Sequence, residues 1–271
     1  MKKHTILLLL TALLLSSCGS PTPAVPDYGP VDTYAVLAEK DNYKDVVMTD
    51  LLVDFIDIVR VRESLEALGW AGDNIHELQE FTAEDLRAEL DWLEENADAN
   101  DLVFFYVTAH GRYLSDVVNW KTFFPAEWED VSAVNKVLVV DSCQAAQFTN
   151  QIQENSGLLI AAVDEDEFGW KGLEEEGLPI VGGIFTYYFT EALLDPAADS
   201  NEDGRVSIQE AALAGEAQQR DYMHEVVFAV PEFVEDYHQL GVEPEKDESF
   251  PDVIIRDSLD ADLFLETRSE E

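Results

Sequence analysis

Leu102-Val-Phe-Phe-Tyr-Val-Thr-Ala-His110-Gly111 and Lys136-Val-Leu-Val-Val-Asp141-Ser-Cys143 decide the fold. Each stretch contains an unbroken apolar run, the pattern of a strand covered on both faces, as in a parallel sheet. Each then ends in polar, reactive residues. Leu158 to Val163 and Thr33 to Ala38 read as further buried strands, and Ile75 to Phe81 as a short one. Between them, Val46 to Trp70 carries Leu51, Leu52, Phe55, Ile58, Val59, Leu65 and Leu68 at helical spacing, with Gly69 or Gly72 as its stop. Thr82 and Asp85 form a capping arrangement that opens a helix over Ala83 to Asn96. Strands alternating with helices predict an α/β sandwich with a mainly parallel central sheet. In such sheets, reactive groups lie beyond the carboxyl ends of the strands.

A histidine at one carboxyl edge and a thiol at another can meet if their strands are neighbours. Cysteine chemistry needs this pair: imidazole takes the proton and sulfur attacks as thiolate. Gly111 allows close approach of a substrate, and its N–H, with that of Cys143, can donate to a developing oxyanion. Taken singly, His110 reads equally well as a hydrogen-bonded strand-end residue and Cys143 as a small buried hydrophobe. Their joint position, each just after a buried strand, is what points to catalysis. No Gly-rich phosphate loop or Gly-x-Ser-x-Gly is present, and His76, His224 and His238 have no metal-ligand spacing.

The 271 residues include 57 Asp+Glu against 16 Lys+Arg, a formal net charge of −41. That balance excludes a nucleic-acid binder, which needs a basic face, and disfavours electrostatic docking on anionic lipid. With 46% hydrophobic and 10% aromatic residues, the chain can still bury a sizeable core rather than remain disordered. Acid excess of this size is also expected of a protein at home in high salt.

Met1-Lys2-Lys3-His4 precedes the apolar run Ile6 to Leu15, which is too short to span a membrane and reads as a signal-peptide core. Leu15-Ser-Ser-Cys18 resembles the lipobox of bacterial lipoproteins, which implies removal of residues 1–17 and acylation of Cys18. Residues 18–31, with Pro21, Pro23, Pro26 and Pro30, read as a stiff tether, and residues 32–271 as the folded domain. The expected location is the bacterial cell envelope (the outer membrane if the host has one), held by the lipid on Cys18. Cys143 is then left without an intrachain partner.

The order of apolar block, His-Gly, apolar block and Asp-Ser-Cys resembles the caspase-like cysteine peptidases, which include caspases, metacaspases, gingipains and legumains. Phe104 to Gly111 and Val139 to Ala145 look most like the legumain family, including the catalytic subunit of GPI transamidase. Ala109 departs from that family's usual glycine before the histidine. The resemblance implies a caspase-like three-layer sandwich, with Cys143 as nucleophile and His110 as general acid/base. It places Gly111 and Cys143 N–H groups in the oxyanion hole and Asp141 at the floor of the pocket for the residue before the scissile bond (P1). An acid there implies cleavage of a protein or peptide after Arg, Lys or Asn; Asp164-Glu-Asp-Glu167 could line the same pocket. No organic cofactor is expected. A transpeptidase or transamidase of the same fold, or an inactive surface binding module, are the alternatives.

Asp199-Ser-Asn-Glu-Asp-Gly-Arg-Val-Ser-Ile-Gln-Glu210 fits the EF-hand template at every position. Asp199, Asn201, Asp203, Arg205 (through its carbonyl), Ser207 and Glu210 are the expected ligands of a single structural Ca2+. Helices expected over Phe185 to Leu194 and Ile208 to Arg220 flank the loop.

Overall fold

The computed structural model describes residues 29–267 apart from 45, 47 and 260. The expected signal peptide, Cys18 and most of the tether lie outside the described residues. In chain order the elements are β1 (Thr33–Glu39), α1 (Ile56–Ala67), β2 (Ile75–Gln79), α2 (Ala83–Asn96), β3 (Leu102–Thr108), α3 (Gly111–Asp116), α4 (Phe124–Asp130) and β4 (Asn135–Asp141). There follow α5 (Ala146–Thr149), β5 (Leu158–Ala161), the short β6 (Lys171–Gly172) and β7 (Gly182–Gly183), α6 (Ile184–Leu194), α7 (Ile208–Tyr222), α8 (Pro231–Gln239) and β8 (Ile254–Asp257).

The main sheet has the order β2-β1-β3-β4-β5-β8, and its strands run parallel up to β5. β8 closes the edge antiparallel to β5. The two faces of each strand bury alternate residues. Val36, Phe105 and Leu138 pack with Leu86, Leu90 and Leu93 of α2 and with Phe124 and Trp128 of α4. Leu37, Phe104, Tyr106 and Val139 face the opposite layer, built from Ile58 and Leu65 of α1, Phe185 and Phe189 of α6, and Ile208 and Ala211 of α7. β3 is buried along its whole length, as its unbroken apolar run demands. The architecture is the expected α/β sandwich, helix layer on sheet on helix layer.

The capping arrangement at α2 is present: Asp85 N–H donates to Thr82 Oγ1 at 3.3 Å and Thr82 N–H to Asp85 Oδ2 at 2.8 Å. One element differs from expectation. Helical spacing over Val46 to Trp70 suggests one long helix, yet α1 starts only at Ile56. Asp54 and Phe55 both lie in the left-handed region, at φ 56° and 57°. The buried Asp41 carboxylate accepts from Val53 and Phe55 N–H at 3.3 and 3.0 Å. These bonds turn the chain across the top of the sheet, where it meets His110.

Candidate active site

β3 and β4 are adjacent and parallel, and Thr108 is the register partner of Asp141. His110 and Cys143 therefore each stand two residues beyond the same rung of the ladder. They line one cavity of about 80 Å³, together with Asp141, Gly169, Trp170 and Lys171 among others.

His110 Nε2 lies 2.9 Å from the Thr49 carbonyl oxygen. A carbonyl can only accept, so Nε2 carries the proton, and in the neutral ring Nδ1 holds the lone pair of a general base. The ring packs against Tyr43 at 4.8 Å between centroids. Tyr43 O–H donates to the Lys40 carbonyl at 2.7 Å and accepts from His110 N–H at 2.9 Å. Burial holds the His110 pKa below the usual imidazole value, and the Lys171 charge acts in the same direction, against the Thr49 bond.

The Cys143 thiol donates to the Gly169 carbonyl at 3.8 Å. Burial pushes its pKa up to about 11, and the carboxylate of Asp141 adds to the rise. The resting pair is thus a neutral thiol and a neutral imidazole. Gln144 follows in the left-handed region at φ 57°, its N–H donating to the Glu167 carbonyl at 2.7 Å. Gly111 opens α3 hard against this turn: a Cβ there would lie 2.2 Å from the Cys143 carbonyl oxygen. Only glycine permits the approach.

Asp141 is buried and lines the cavity. Its Oδ2 accepts from Thr186 Oγ1 at 2.6 Å and from Thr186 N–H at 3.3 Å, capping the first turn of α6. Thr186 Oγ1 in turn lies 2.6 Å from the Tyr106 hydroxyl. Burial, reinforced by the nearby Asp57, pushes Asp141 up to about 6. The Asp164-to-Glu167 stretch is placed differently: Glu165 and Asp166 are exposed, and Glu167 accepts from Asp164 and Asp252 N–H at 3.1 and 2.9 Å.

Several participants carry no signal in the sequence. Lys171 reaches into the acid-rich layer beside the cavity, with Nζ 2.5 Å from Glu39, 3.1 Å from Asp57 and 3.2 Å from Asp41. Glu39 also accepts from the Asp57 and Ile58 N–H groups that open α1. Asp57 accepts from Gly183 N–H at 3.0 Å. Trp170 packs beside Phe233 and Tyr237 of α8, and its indole N–H has no partner among the described residues. A residue pattern in sequence cannot announce a two-residue strand such as β6, whose place is set by its pairing with β7.

The Asp199–Glu210 loop follows α6 in the chain, and none of its residues lines this cavity. Gly204 turns at φ 92°, with its N–H donating to Asp199 Oδ2 at 2.8 Å. Asn201 accepts from Asp203 N–H, and Asp203 from Arg205 N–H, at 2.8 and 3.0 Å. Glu210 completes a capping box with Ser207 at the start of α7 and accepts from Ser200 and Asn201 N–H. Against the effect of burial, bonds from Ser207, Asn201 and Ser200 hold it down to about 2. The donor set is all oxygen, which suits a hard cation. Among the described residues, no group of three or more His, Cys, Asp or Glu is gathered as a metal ion requires. No described helix is long and apolar enough to cross a membrane.

Comparison with known proteins agrees with this architecture. The fold is similar to the crystal structure of caspase-1 from Spodoptera frugiperda, with a TM-score of 0.58, 10% sequence identity, and coverage of 89% of this chain and 92% of that one. No curated protein sequence matches. Residues 33–213 match the caspase domain family, a span that includes β1 to α6, His110 and Cys143. On that match over more than half its length, the chain belongs to the caspase domain family.

Proposed function

We propose that the protein is a cysteine endopeptidase working through Cys143 and His110. The observation that carries this reading is the Thr108–Asp141 register, which brings the two residues to one cavity from neighbouring strands. His110 Nδ1 takes the thiol proton as sulfur bonds to the substrate carbonyl carbon. The oxyanion receives N–H bonds from Gly111 and Cys143. Collapse breaks the C–N bond, His110 returns the proton to the departing amine, and water hydrolyses the thioester. Asp141 has Oδ2 taken by Thr186, which leaves Oδ1 to accept from an Arg or Lys side chain at P1, or from the amide of Asn in the legumain manner. Peptides differing only at P1 test this. Cleavage after Arg, Lys or Asn, lost in Cys143→Ala, is expected; preference for Asp at P1 would remove the acidic pocket.

We also propose export with a lipid on Cys18, tested by loss of palmitate labelling in Cys18→Ala. The Asp199–Glu210 loop is proposed to take a single Ca2+, supported by the sharp turn at Gly204 and the all-oxygen donors. Calorimetric titration should register calcium binding that Glu210→Gln abolishes; no heat with either protein sinks the proposal.

A further inference from the structure

Close to the cavity, the molecule buries a cluster of acids. Glu39, Asp41, Asp57 and Asp141 are each buried, on β1, the turn after it, α1 and β4. Two cations answer them. Arg60 bonds Asp57 at 3.4 Å and the Val181 carbonyl at 2.7 Å. Lys171 bonds Glu39, Asp41 and Asp57 together, its side chain only 9% exposed. Asp141 is not among its partners and is held by Thr186 instead. Among the described residues, four acids face two cations, and part of that excess is held neutral because burial and the neighbouring Asp57 push Glu39 up. Lys171, like Asp141, is also one of the residues that line the cavity holding His110 and Cys143.

A lysine whose only task is to join three buried carboxylates has no need to border the reacting space. Its ammonium occupies the point in the acid layer where Glu39, Asp41 and Asp57 meet. Two like charges in one desolvated pocket repel strongly, because little water screens them. Resting on the peptidase reading above, we propose that Lys171 is a specificity-determining residue. It is a built-in occupant of the acid layer, which limits the P1 pocket to the single carboxylate of Asp141 and holds down selectivity for Arg and Lys over neutral Asn. Substituting it by a neutral residue opens a second cation subsite on Glu39, Asp41 and Asp57.

The test is the ratio of kcat/KM for two peptides identical except for Arg or Asn at P1. In Lys171→Met the ratio is expected to rise at least tenfold over wild type. Asp41→Asn removes a counter-charge while leaving the ammonium, so its ratio should fall by several fold; it keeps the test open if Lys171→Met does not fold. A ratio unchanged or moved the opposite way in whichever variant folds overturns the proposal, as does an equal loss on both peptides, the mark of a purely structural clamp. Agmatine, an arginine side chain without its carboxyl group, gives a readout independent of cleavage. Calorimetry should find it bound at least tenfold more tightly by Lys171→Met than by wild type, and equal affinities would count against the subsite. If the wild-type protein cleaves neither peptide, the peptidase reading fails while the agmatine comparison still judges Lys171.

Discussion

Cys143 and His110 are poised as neutral partners rather than as a preformed ion pair. Burial raises the thiol to about 11 and lowers the imidazole, so the proton sits on sulfur at neutral pH. On the proposed peptidase reading, the thiolate then forms only as the substrate is attacked. Without substrate, alkylation of Cys143 by iodoacetamide should be slow at pH 7.5. It should keep rising past pH 10, where an ordinary thiol of pKa about 8.5 has levelled off. A rate already at its plateau near pH 6 would show a standing thiolate–imidazolium pair instead. Thr186 has a comparable burden, since it donates twice to Asp141 and meets the Tyr106 hydroxyl. Thr186→Val leaves the Asp141 carboxylate short of a donor in a dry site, which costs about 1–3 kcal/mol. Urea unfolding should find a lower midpoint at constant slope.

At the scale of elements, the meeting of α3 with the turn after β4 is the tightest joint in the site. Gly111→Ala would drive a methyl to 2.2 Å from the Cys143 carbonyl oxygen, so α3 or the turn after β4 must shift. A fall of about a hundredfold in kcat is expected, on the scale of losing one oxyanion donor. Retention of full activity would show that Gly111 takes no part. How much of this could be read in advance follows from the same elements. β3 and β4 are continuous apolar runs, and α2 carries its own cap, so local pattern and final structure agree there. The segment before α1 has helical spacing too, but Asp41 takes the Val53 and Phe55 amides and overrules it. The pair His110 and Cys143 was legible because each follows a recognisable strand. Thr49 and Lys171 were not, since one acts through a carbonyl and the other through contacts across the sheet to β1 and α1.

For the whole molecule, acidity and pH pull together. Burial raises Asp141 to about 6 and, with Asp252 and Asp164 adding to it, Glu167 to about 7. Each binds its proton more tightly folded than unfolded, so its stabilising effect is complete below the ordinary carboxylate range and lost as pH climbs through the folded value. Burial, with Asp57 adding to it, also raises Glu39 to about 8, so the window runs from about pH 4 to about pH 8, while His110, lowered by burial, opposes it below the usual imidazole value. Self-repulsion at a net charge of −41 acts in the same direction. The melting temperature should therefore be higher at pH 5.5 than at pH 8, and added salt should raise it more at pH 8; a protein most stable at pH 8 in low salt contradicts this. The central claim, that Cys143 is the nucleophile of a peptidase, is tested most directly by incubation with a peptidyl acyloxymethyl ketone and mass spectrometry of the labelled chain. The account predicts a thioether adduct on Cys143, matched by loss of peptide cleavage, with neither labelling nor cleavage in Cys143→Ala. Peptide cleavage that persists in Cys143→Ala, or an unlabelled Cys143 in a protein that the inhibitor silences, would contradict it.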